Sequence, residues 1–298
     1  MKSLLFTGAS GFLGSNVLPQ IKENYVVDTL DMSALSTYTV DLAEQIPKLL
    51  KQYDVILHAM GKAHSIPKSE KEEKSFYDIN YKGTKNLCMA FEKGNIPRSM
   101  VFISTVAVYG CEFGEKITEN YPLEADTAYG KSKIMAEEYL LEWCIRKNIS
   151  LTILRPALLA GRNPTGNLGE MINGIAAGKY FCIAGGNARK SIAMADDIAR
   201  IVPLCEDKSG IFNFCDDYNP SFRELEELIS KQLNKPLPIK IPIWAAKYLA
   251  KIGDLFGLSV INNIKLSKII HSLTFSNEKL KNELKFTPSN VLSNFFIC

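Results

Sequence analysis

The sequence of 298 residues predicts an α/β protein in which a doubly wound parallel sheet is followed by a smaller C-terminal lobe. In the first half, short apolar runs alternate with segments of helical periodicity, which is typical of a parallel sheet covered on both faces. A glycine-rich turn joins the first apolar run to the first helical segment. After residue 160 the alternation weakens, so we expect residues 1–160 to form one domain and residues 161–298 to form most of a second lobe.

The elements of the first domain follow from these periodicities. Strands are predicted over residues 3–7, 25–30, 54–59, 99–104 and 150–154, and helices over residues 11–22, 76–93 and 128–147. The last of these strands should end at Arg155-Pro156, since proline has no N–H to donate to a sheet.

The second half has weaker signals. Its predicted elements are a loop over residues 161–169, a helix over 196–204, a strand over 210–215, a helix over 222–233 and an extended, proline-rich segment over 235–242. We expect the strand to return to the sheet of the first domain. Ser221 and Glu224 form a capping-box pattern at the start of the second helix.

Composition excludes several classes of function. The net charge is only +3 and the lysines are scattered, which argues against a nucleic-acid partner. Seven cysteines without regular spacing do not indicate a disulfide framework, and His58, His64 and His271 lack the spacing of metal ligands. The first apolar run is too short for a signal peptide, and no stretch reaches the roughly 18 apolar residues of a spanning helix. We therefore expect a cytoplasmic protein without a metal.

Residues 7–14 (TGASGFLG) place three glycines at a junction between a strand and a helix. Backbone N–H groups and the positive end of the helix face a pyrophosphate at such a junction, and a Cβ atom would block the tight turn. The pattern predicts a Rossmann-like dinucleotide-binding domain. The expected cofactor contacts in this turn are Gly8, Ser10, Gly11, Phe12, Leu13 and Gly14.

Asp31 ends the second predicted strand, 17 residues after Gly14. A carboxylate at this position accepts hydrogen bonds from the hydroxyls of the adenosine ribose and repels a 2′-phosphate. No Arg or Lys follows within several residues to bind that phosphate. We therefore predict NAD rather than NADP as the cofactor.

Tyr129 and Lys133 are four residues apart on a predicted helix and so project from one face of it. A free phenol has a pKa near ~10, and a neighbouring ammonium and a positive nicotinamide ring both lower it. The tyrosine can then take a proton from a sugar hydroxyl. This spacing is common on helix surfaces, but here it follows a glycine-rich turn and a strand that ends in Ser104-Thr105. That order predicts a catalytic pair.

Together these motifs resemble the extended short-chain dehydrogenases/reductases of the NAD-dependent epimerase/dehydratase family. The matching segments span nearly all of the chain and are residues 7–14, 80–84 (NYKGT), 104–110 (STVAVYG), 129–133 (YGKSK) and 154–156 (LRP). The resemblance implies an enzyme that uses NAD on a nucleotide sugar. It also implies that Thr105 hydrogen-bonds the reacting oxygen beside Tyr129, that Lys133 holds the nicotinamide ribose, and that Asn80 braces the active-site strand.

The resemblance implies further binding residues. Additional cofactor contacts are implied at Asp41, Leu42, Ala59, Met60, Gly61, Lys62, Asn80, Ser104 and Pro156. In the C-terminal lobe, Asn167 lies in a turn that resembles the segment gripping the nucleotide. Arg189 precedes Asp196 by seven residues, as the family's diphosphate-binding arginine does, and a guanidinium suits a diphosphate by bidentate geometry.

Two features depart from the family pattern. The histidine of the fourth strand, His58, is shifted by one position, so it has either a specific role or a packing and capping role. The lobe also lacks a second phosphate-clamping arginine and offers only Lys265 or Lys268 nearby.

Side chains separate the candidate reactions. Nucleotide-sugar 4,6-dehydratases carry Asp-Glu directly after the Ser/Thr, whereas here Val106 and Ala107 cannot transfer protons. We favour 4-epimerisation through a transient 4-keto intermediate over NAD(P)H-dependent reduction of a 4-keto-6-deoxy nucleotide sugar, because Asp31 suits a recycled NAD. A non-catalytic dinucleotide-sensing protein is a third alternative, since fold does not determine function. The retention of Tyr129, Lys133 and Thr105 argues against it.

Residues 243–258 combine a Trp and several apolar residues with Lys247 and Lys251 and have an amphipathic pattern. We favour a lobe helix that packs on the core over one that contacts a membrane. Contact with lipid would make a lipid-linked sugar diphosphate a candidate substrate. The sequence leaves a homodimer open.

Overall fold

The computed structural model describes residues 1–63, 67–94, 96–248 and 263–297. Its strands are β1 (Lys2–Thr7), β2 (Tyr25–Asp31), β3 (Tyr38–Thr39), β4 (Val55–His58), β5 (Ser99–Ile103), β6 (Gly114–Ile117), β7 (Ser150–Pro156), β8 (Leu158–Ala160), β9 (Phe181–Ile183), β10 (Ile192–Met194), β11 (Gly210–Phe214), β12 (Ile239–Ile241) and β13 (Leu273–Phe275).

The helices cover both faces of the sheet. They are α1 (Phe12–Ile21), α2 (Glu70–Tyr77), α3 (Gly83–Glu92), α4 (Ala128–Lys147), α5 (Gly166–Ala176), α6 (Asp197–Cys205), α7 (Phe222–Gln232), α8 (described over residues 243–248), α9 (Asn263–Ile270), α10 (Glu278–Leu284) and α11 (Val291–Asn294).

Seven parallel strands form the central sheet in the order β11-β7-β5-β4-β1-β2-β3. The strand order reverses between β1 and β4, and ligands of doubly wound sheets bind in the crevice at the carboxyl ends of such strands. The predicted fold class is therefore confirmed, and the strand over residues 210–214 pairs with β7 at the sheet edge.

The core lies on both faces of the sheet because alternate strand residues point in opposite directions. Leu4 and Phe6 of β1 belong to a cluster that α1 and α6 complete, whereas Leu5 belongs to a second cluster with Trp143 of α4. Each apolar strand is therefore covered on both faces, and the polar residues of a site lie at its carboxyl end.

Some predicted boundaries were wrong. The helix predicted over residues 76–93 begins instead at Glu70, where Ser69 caps it, and a π-helical turn over Asp78–Lys82 separates α2 from α3. The loop predicted over residues 161–169 ends early because α5 begins at Gly166. The capping box of α7 is confirmed. The division of the chain at residue 160 stays a prediction.

Part of the chain lies outside the described residues. This includes His64, the side chain of Lys265 and residues 249–258 of the predicted amphipathic segment. Among the described helices, none has the length and apolar character needed to cross a bilayer. Within the same described ranges, no group of three His, Cys, Asp or Glu side chains is placed to bind a metal.

Candidate active site

The glycine-rich turn packs more tightly than any other residue type would allow. Gly8 has a φ of +79°, and a Cβ atom there would lie 2.8 Å from the backbone of Met60 after β4. A Cβ at Gly14 would lie 2.3 Å from the carbonyl oxygen of Ala9. The two glycines therefore let α1 pack closely against the ends of β1 and β4.

The N-terminus of α1 offers an anion site. Gly11 is the N-cap residue and has no side chain with which to accept a hydrogen bond from the first turn. The N–H groups that begin a helix need an acceptor from elsewhere, and a phosphate suits both them and the helix dipole. The turn predicted from the sequence, from Gly8 to Gly14, thus fits the pyrophosphate of a dinucleotide.

Asp31 lies beside this turn at the end of β2. Its carboxylate accepts hydrogen bonds from the Ser10 N–H at 2.9 Å, the Ser33 N–H at 2.7 Å and the Ser36 hydroxyl at 2.6 Å. Burial acts to raise the pKa of this carboxyl, but the hydrogen bonds outweigh it and lower the pKa below its ordinary value. A fixed negative charge therefore stands beside the turn, at the residue that the sequence predicts to bind the adenosine ribose.

Asn80 joins the segment after β4 to the helix that carries the predicted catalytic pair. Its side-chain oxygen accepts from the Lys62 N–H at 2.7 Å, and its amide donates to the Ser132 hydroxyl at 2.9 Å. A Cβ at Gly61 would lie 3.2 Å from the Lys133 Nζ, so the segment passes directly over the lysine. The resemblance implied that Asn80 braces the active-site strand, whereas these contacts are with the segment after β4 and with α4.

His58 has a packing role. Its ring is buried between the Thr7 hydroxyl at 2.6 Å and the Thr84 hydroxyl at 2.9 Å. Burial lowers the pKa of the imidazole to about 3, so the ring is neutral at physiological pH. Of the two roles left open by the sequence, the structure supports the packed histidine.

The first turns of α4 bring Tyr129 and Lys133 to the carboxyl end of β5, where Tyr129 lies beside Thr105 and Lys133 contacts Ile103. Thr127 caps α4 by accepting from the Gly130 N–H at 3.1 Å, which sets the start of the helix at Ala128, one residue before Tyr129. The half-buried phenol of Tyr129 interacts with the Thr105 hydroxyl. The Lys133 Nζ donates to the carbonyl of Ile103 at 2.9 Å.

The pKa of the Tyr129 phenol differs from the value that the sequence led us to expect. Burial raises the pKa of Tyr129, and the interaction with Thr105 only partly opposes it. Burial also lowers the pKa of Lys133 to about 8, with Glu137 acting in the opposite direction. The structure therefore does not show the lowered phenol pKa that we expected from Lys133.

A buried polar network beneath Thr105 was not found from the sequence. The Arg155 guanidinium donates to both carboxylate oxygens of Glu137, at 3.1 and 2.5 Å, and to the Tyr109 hydroxyl at 3.0 Å. The Ser104 hydroxyl also donates to Glu137. Two sequence features could have indicated this network: an arginine at the end of an apolar strand and a glutamate one helical turn after Lys133.

The remaining residues predicted to contact the cofactor lie at or after the carboxyl ends of β3, β4 and β7. Leu42 is buried with its carbonyl accepting from Asn86, and Asp41 accepts from the Ala43 N–H. Ala59 and Met60 directly follow β4. The Lys62 ammonium donates to Ser75 at 2.6 Å. Pro156 is the last residue of β7, although the ladder continues past it because the Ala157 N–H donates to Phe214 at 3.0 Å.

The two predicted residues of the C-terminal lobe make their contacts away from Tyr129. Asn167 is exposed in the first turn of α5. The Arg189 guanidinium donates to the Asn219 carbonyl at 2.7 Å, stacks over Tyr218 and lies 3.4 Å from Glu224. Of the lysines proposed as a second clamp, Lys268 lies 3.7 Å from Glu112.

Comparison with known proteins agrees with this geometry. The model of the NAD dependent epimerase/dehydratase family matches residues 4–213. The chain is 31% identical to the N-acetyl-α-D-glucosaminyl-diphospho-ditrans,octacis-undecaprenol 4-epimerase of Escherichia coli O157:H7, over 79% of this chain and 74% of that protein. It is 25% identical to the UDP-glucose 4-epimerase of Vibrio cholerae, over 99% of this chain and 93% of that protein.

Solved structures show the same fold. The UDP-glucuronic acid 4-epimerase from Bacillus cereus in complex with NAD superposes with a TM-score of 0.76 at 19% identity, covering 98% of this chain and 95% of that chain. The family match extends over the glycine-rich turn, the Tyr129–Lys133 pair and the strand that ends at Pro156. The chain belongs to the NAD-dependent epimerase/dehydratase family.

Proposed function

We propose that this protein is an enzyme that inverts C4 of a sugar carried on a nucleoside diphosphate, with NAD as its cofactor. The observation that carries this proposal is that the Tyr129 phenol lies beside the Thr105 hydroxyl, while the Lys133 ammonium from the next turn of α4 donates to Ile103 at the carboxyl end of β5. The 4-epimerase names of both relatives support the reaction.

Each of the three side chains has a separate task. Thr105 donates a hydrogen bond to the sugar oxygen at C4 and aligns it with Tyr129, which takes the hydroxyl proton as a general base and later returns it. Burial raises the pKa of Tyr129. Its ionisation therefore needs positive charge beside it, which the nicotinamide ring of bound NAD and the Lys133 ammonium would supply together. Bound NAD would accept the hydride from C4 and return it to the opposite face.

The turn from Gly8 to Gly14 would hold the pyrophosphate, and Asp31 would hold the adenosine ribose. The structure of the Bacillus cereus neighbour in complex with NAD supports this assignment. The nicotinamide half would lie between the turn and Tyr129, and we expect Lys62, Asn80, Ser104 and Pro156 to contact it.

The decisive experiment incubates the purified protein with UDP-glucose and UDP-N-acetylglucosamine without added cofactor. NMR should detect the 4-epimer, and the absorbance at 340 nm should not change. Consumption of NAD(P)H on a 4-keto-6-deoxy nucleotide sugar, without epimerisation of any hexose, would show that the enzyme is the alternative reductase.

A second candidate substrate is a sugar diphosphate linked to undecaprenol. The observation that favours it is the relative from Escherichia coli O157:H7, which acts on such a compound. The chemistry at C4 would be the same, and only the group beyond the diphosphate would differ. Parallel assays with UDP-N-acetylglucosamine and with undecaprenyl-diphospho-N-acetylglucosamine in detergent decide between them, because the true substrate is turned over with the higher kcat/KM.

The first prediction concerns cofactor preference. The wild-type protein should bind NAD(H) more tightly than NADP(H), because the charged Asp31 carboxylate repels a 2′-phosphate. Replacing Asp31 with alanine should narrow this difference. Fluorescence titration of the protein with each cofactor measures the two affinities. The control variant is Asp28→Ala, on the same strand. Equal or tighter binding of NADP(H) by the wild type would contradict the assignment.

The second prediction concerns the diphosphate. Arg189→Ala should weaken nucleotide-sugar binding by about 1.5–3 kcal/mol, the loss expected for a hydrogen bond to a charged group. Cofactor affinity should not change, because the contacts of Arg189 lie in the lobe. Calorimetric titration measures the nucleotide-sugar affinity of this variant. The control is Arg146→Ala, which removes an exposed arginine of α4. Unchanged affinity for every sugar diphosphate tested would remove Arg189 from the site.

A further inference from the structure

One side of the C-terminal lobe exposes an unusual number of large apolar side chains. We call this set the lobe surface, and each of its members is more than 40% exposed. Its residues are Phe181, Leu237, Ile239, Ile243, Trp244 and Tyr248. Trp244 is 73% exposed, whereas the other tryptophan of the chain, Trp143, is fully buried. Large aromatic side chains normally contribute to a core or to an interface.

Five of these residues lie on β9, β12 and α8, and Leu237 precedes β12 by two residues. Phe181 and Ile239 are register partners in the parallel pair β9–β12, so their side chains lie next to each other. Two residues further along, on the same face of this pair, Ile183 and Ile241 pack in a small core with Ala246 of α8. The helix therefore buries Ala246 and leaves Ile243, Trp244, Lys247 and Tyr248 on its outer face.

The segment that carries most of the lobe surface has charges of one sign. Residues 231–248 contain four lysines and no Asp or Glu, although the whole chain has almost as many acids as bases. All four are exposed, and they are Lys231, Lys235, Lys240 and Lys247. Lysine can lay its aliphatic part along an apolar surface while its ammonium reaches outward. Interfacial Trp and Tyr with flanking lysines are the combination that matches the headgroup region of a bilayer.

We propose that the lobe surface binds the face of a membrane that carries anionic lipid headgroups, without spanning it. Apolar side chains would enter the boundary between headgroups and acyl chains, and the lysines would pair with the anionic headgroups. A second copy of this chain fits less well, because a twofold contact would place the lysines of one copy against those of the other.

The position of the lobe surface relative to Arg189 links the proposed membrane contact to substrate binding. The chain runs from Ile183 of β9 through the short turn Ala184–Gly186 to Arg189. Docking here would place the proposed diphosphate-binding arginine near the headgroup region, where a lipid-linked sugar diphosphate would be presented. This last step rests on the proposed function, whereas the membrane contact itself does not.

The test uses the full-length protein and vesicles of phosphatidylcholine, with or without phosphatidylglycerol. The protein should sediment with the anionic vesicles, bind pure phosphatidylcholine weakly and dissociate as salt is added. Because Trp143 is buried, a blue shift of tryptophan emission on binding reports Trp244. Absence of sedimentation with anionic vesicles at low salt would overturn the proposal.

Variants locate the contact. Ile239→Ser/Trp244→Ser should lower the partition coefficient about tenfold or more, because two apolar side chains no longer leave water. Lys240→Glu/Lys247→Glu should abolish the preference for phosphatidylglycerol. The control is Leu35→Ser/Ile145→Ser, which alters side chains that are 97% and 80% exposed elsewhere. Equal loss of binding in this control would overturn the proposal, as would a dimer in sedimentation velocity that only the lobe-surface variants dissociate.

Thermal unfolding of each variant checks that it is folded. Vesicle binding needs neither substrate nor cofactor, so the two proposals fail separately. Vesicle binding without epimerisation of any sugar diphosphate would support the membrane contact and reject the proposed function. Epimerisation without vesicle binding would support the proposed function and reject the membrane contact.

Discussion

Replacing Tyr129 with phenylalanine is expected to lower kcat by about 10²–10⁴-fold, the usual contribution of a positioned general acid–base. The ring and its packing against Phe76 are kept, so only the hydroxyl that exchanges the proton is lost. KM and cofactor affinity should change little. The measurement is the rate of 4-epimer formation under saturating sugar diphosphate, together with a cofactor titration.

Tyr139→Phe is the matched control for this variant. Tyr139 lies on the same helix and packs against Tyr81, away from Thr105. It should keep the wild-type rate. If Tyr129→Phe also keeps that rate, another group performs the proton transfer. If Tyr139→Phe loses as much activity, the effect belongs to the helix and not to the phenol.

Features that depend on local sequence could be predicted. The junction from β1 to α1 could be recognised because its glycines lie within a few residues of one another. The placement of Tyr129 and Lys133 on one helix face follows from the helical repeat alone. The doubly wound sheet followed because its strands are buried on both faces and so are continuously apolar. The capping box at Ser221 is local for the same reason.

Features that depend on distant contacts could not be predicted. The pairs β8–β10, β9–β12 and β6–β13 are short, and β13 joins β6 from more than 150 residues away. No local periodicity marks three-residue strands of this kind. The role of His58 was equally hidden, because Thr7 and Thr84 reach it only after the sheet has formed.

The ion pair between Glu137 and Arg155 is the other feature whose removal should have a large effect. Both side chains are almost completely buried, with 1% and 3% of their surface exposed. Glu137→Gln keeps the shape of the side chain but leaves the Arg155 charge without its partner. We expect the free energy of unfolding to fall by about 3–5 kcal/mol, the cost of leaving one buried charge uncompensated. Chemical denaturation monitored by circular dichroism measures the change.

Two comparisons make this result specific. Arg146→Ala removes an exposed pair on the same helix and should cost less than about 1 kcal/mol. Glu137→Leu/Arg155→Met removes both charges of the pair and should recover much of the lost stability, since Arg155 no longer leaves a buried charge without its partner. A loss in Glu137→Gln no greater than in Arg146→Ala would show that the network is hydrated and contributes little.

The same pair also bears on the active site. Glu137 lies one turn beyond Lys133 on α4, accepts from Ser104 at the end of β5, and binds Arg155 of β7. It therefore connects the three elements that position Thr105, Tyr129 and Pro156. The double variant should regain stability but keep a reduced kcat, because apolar side chains can fill the volume without aligning Ser104. Full recovery of kcat would mean that the network serves stability alone.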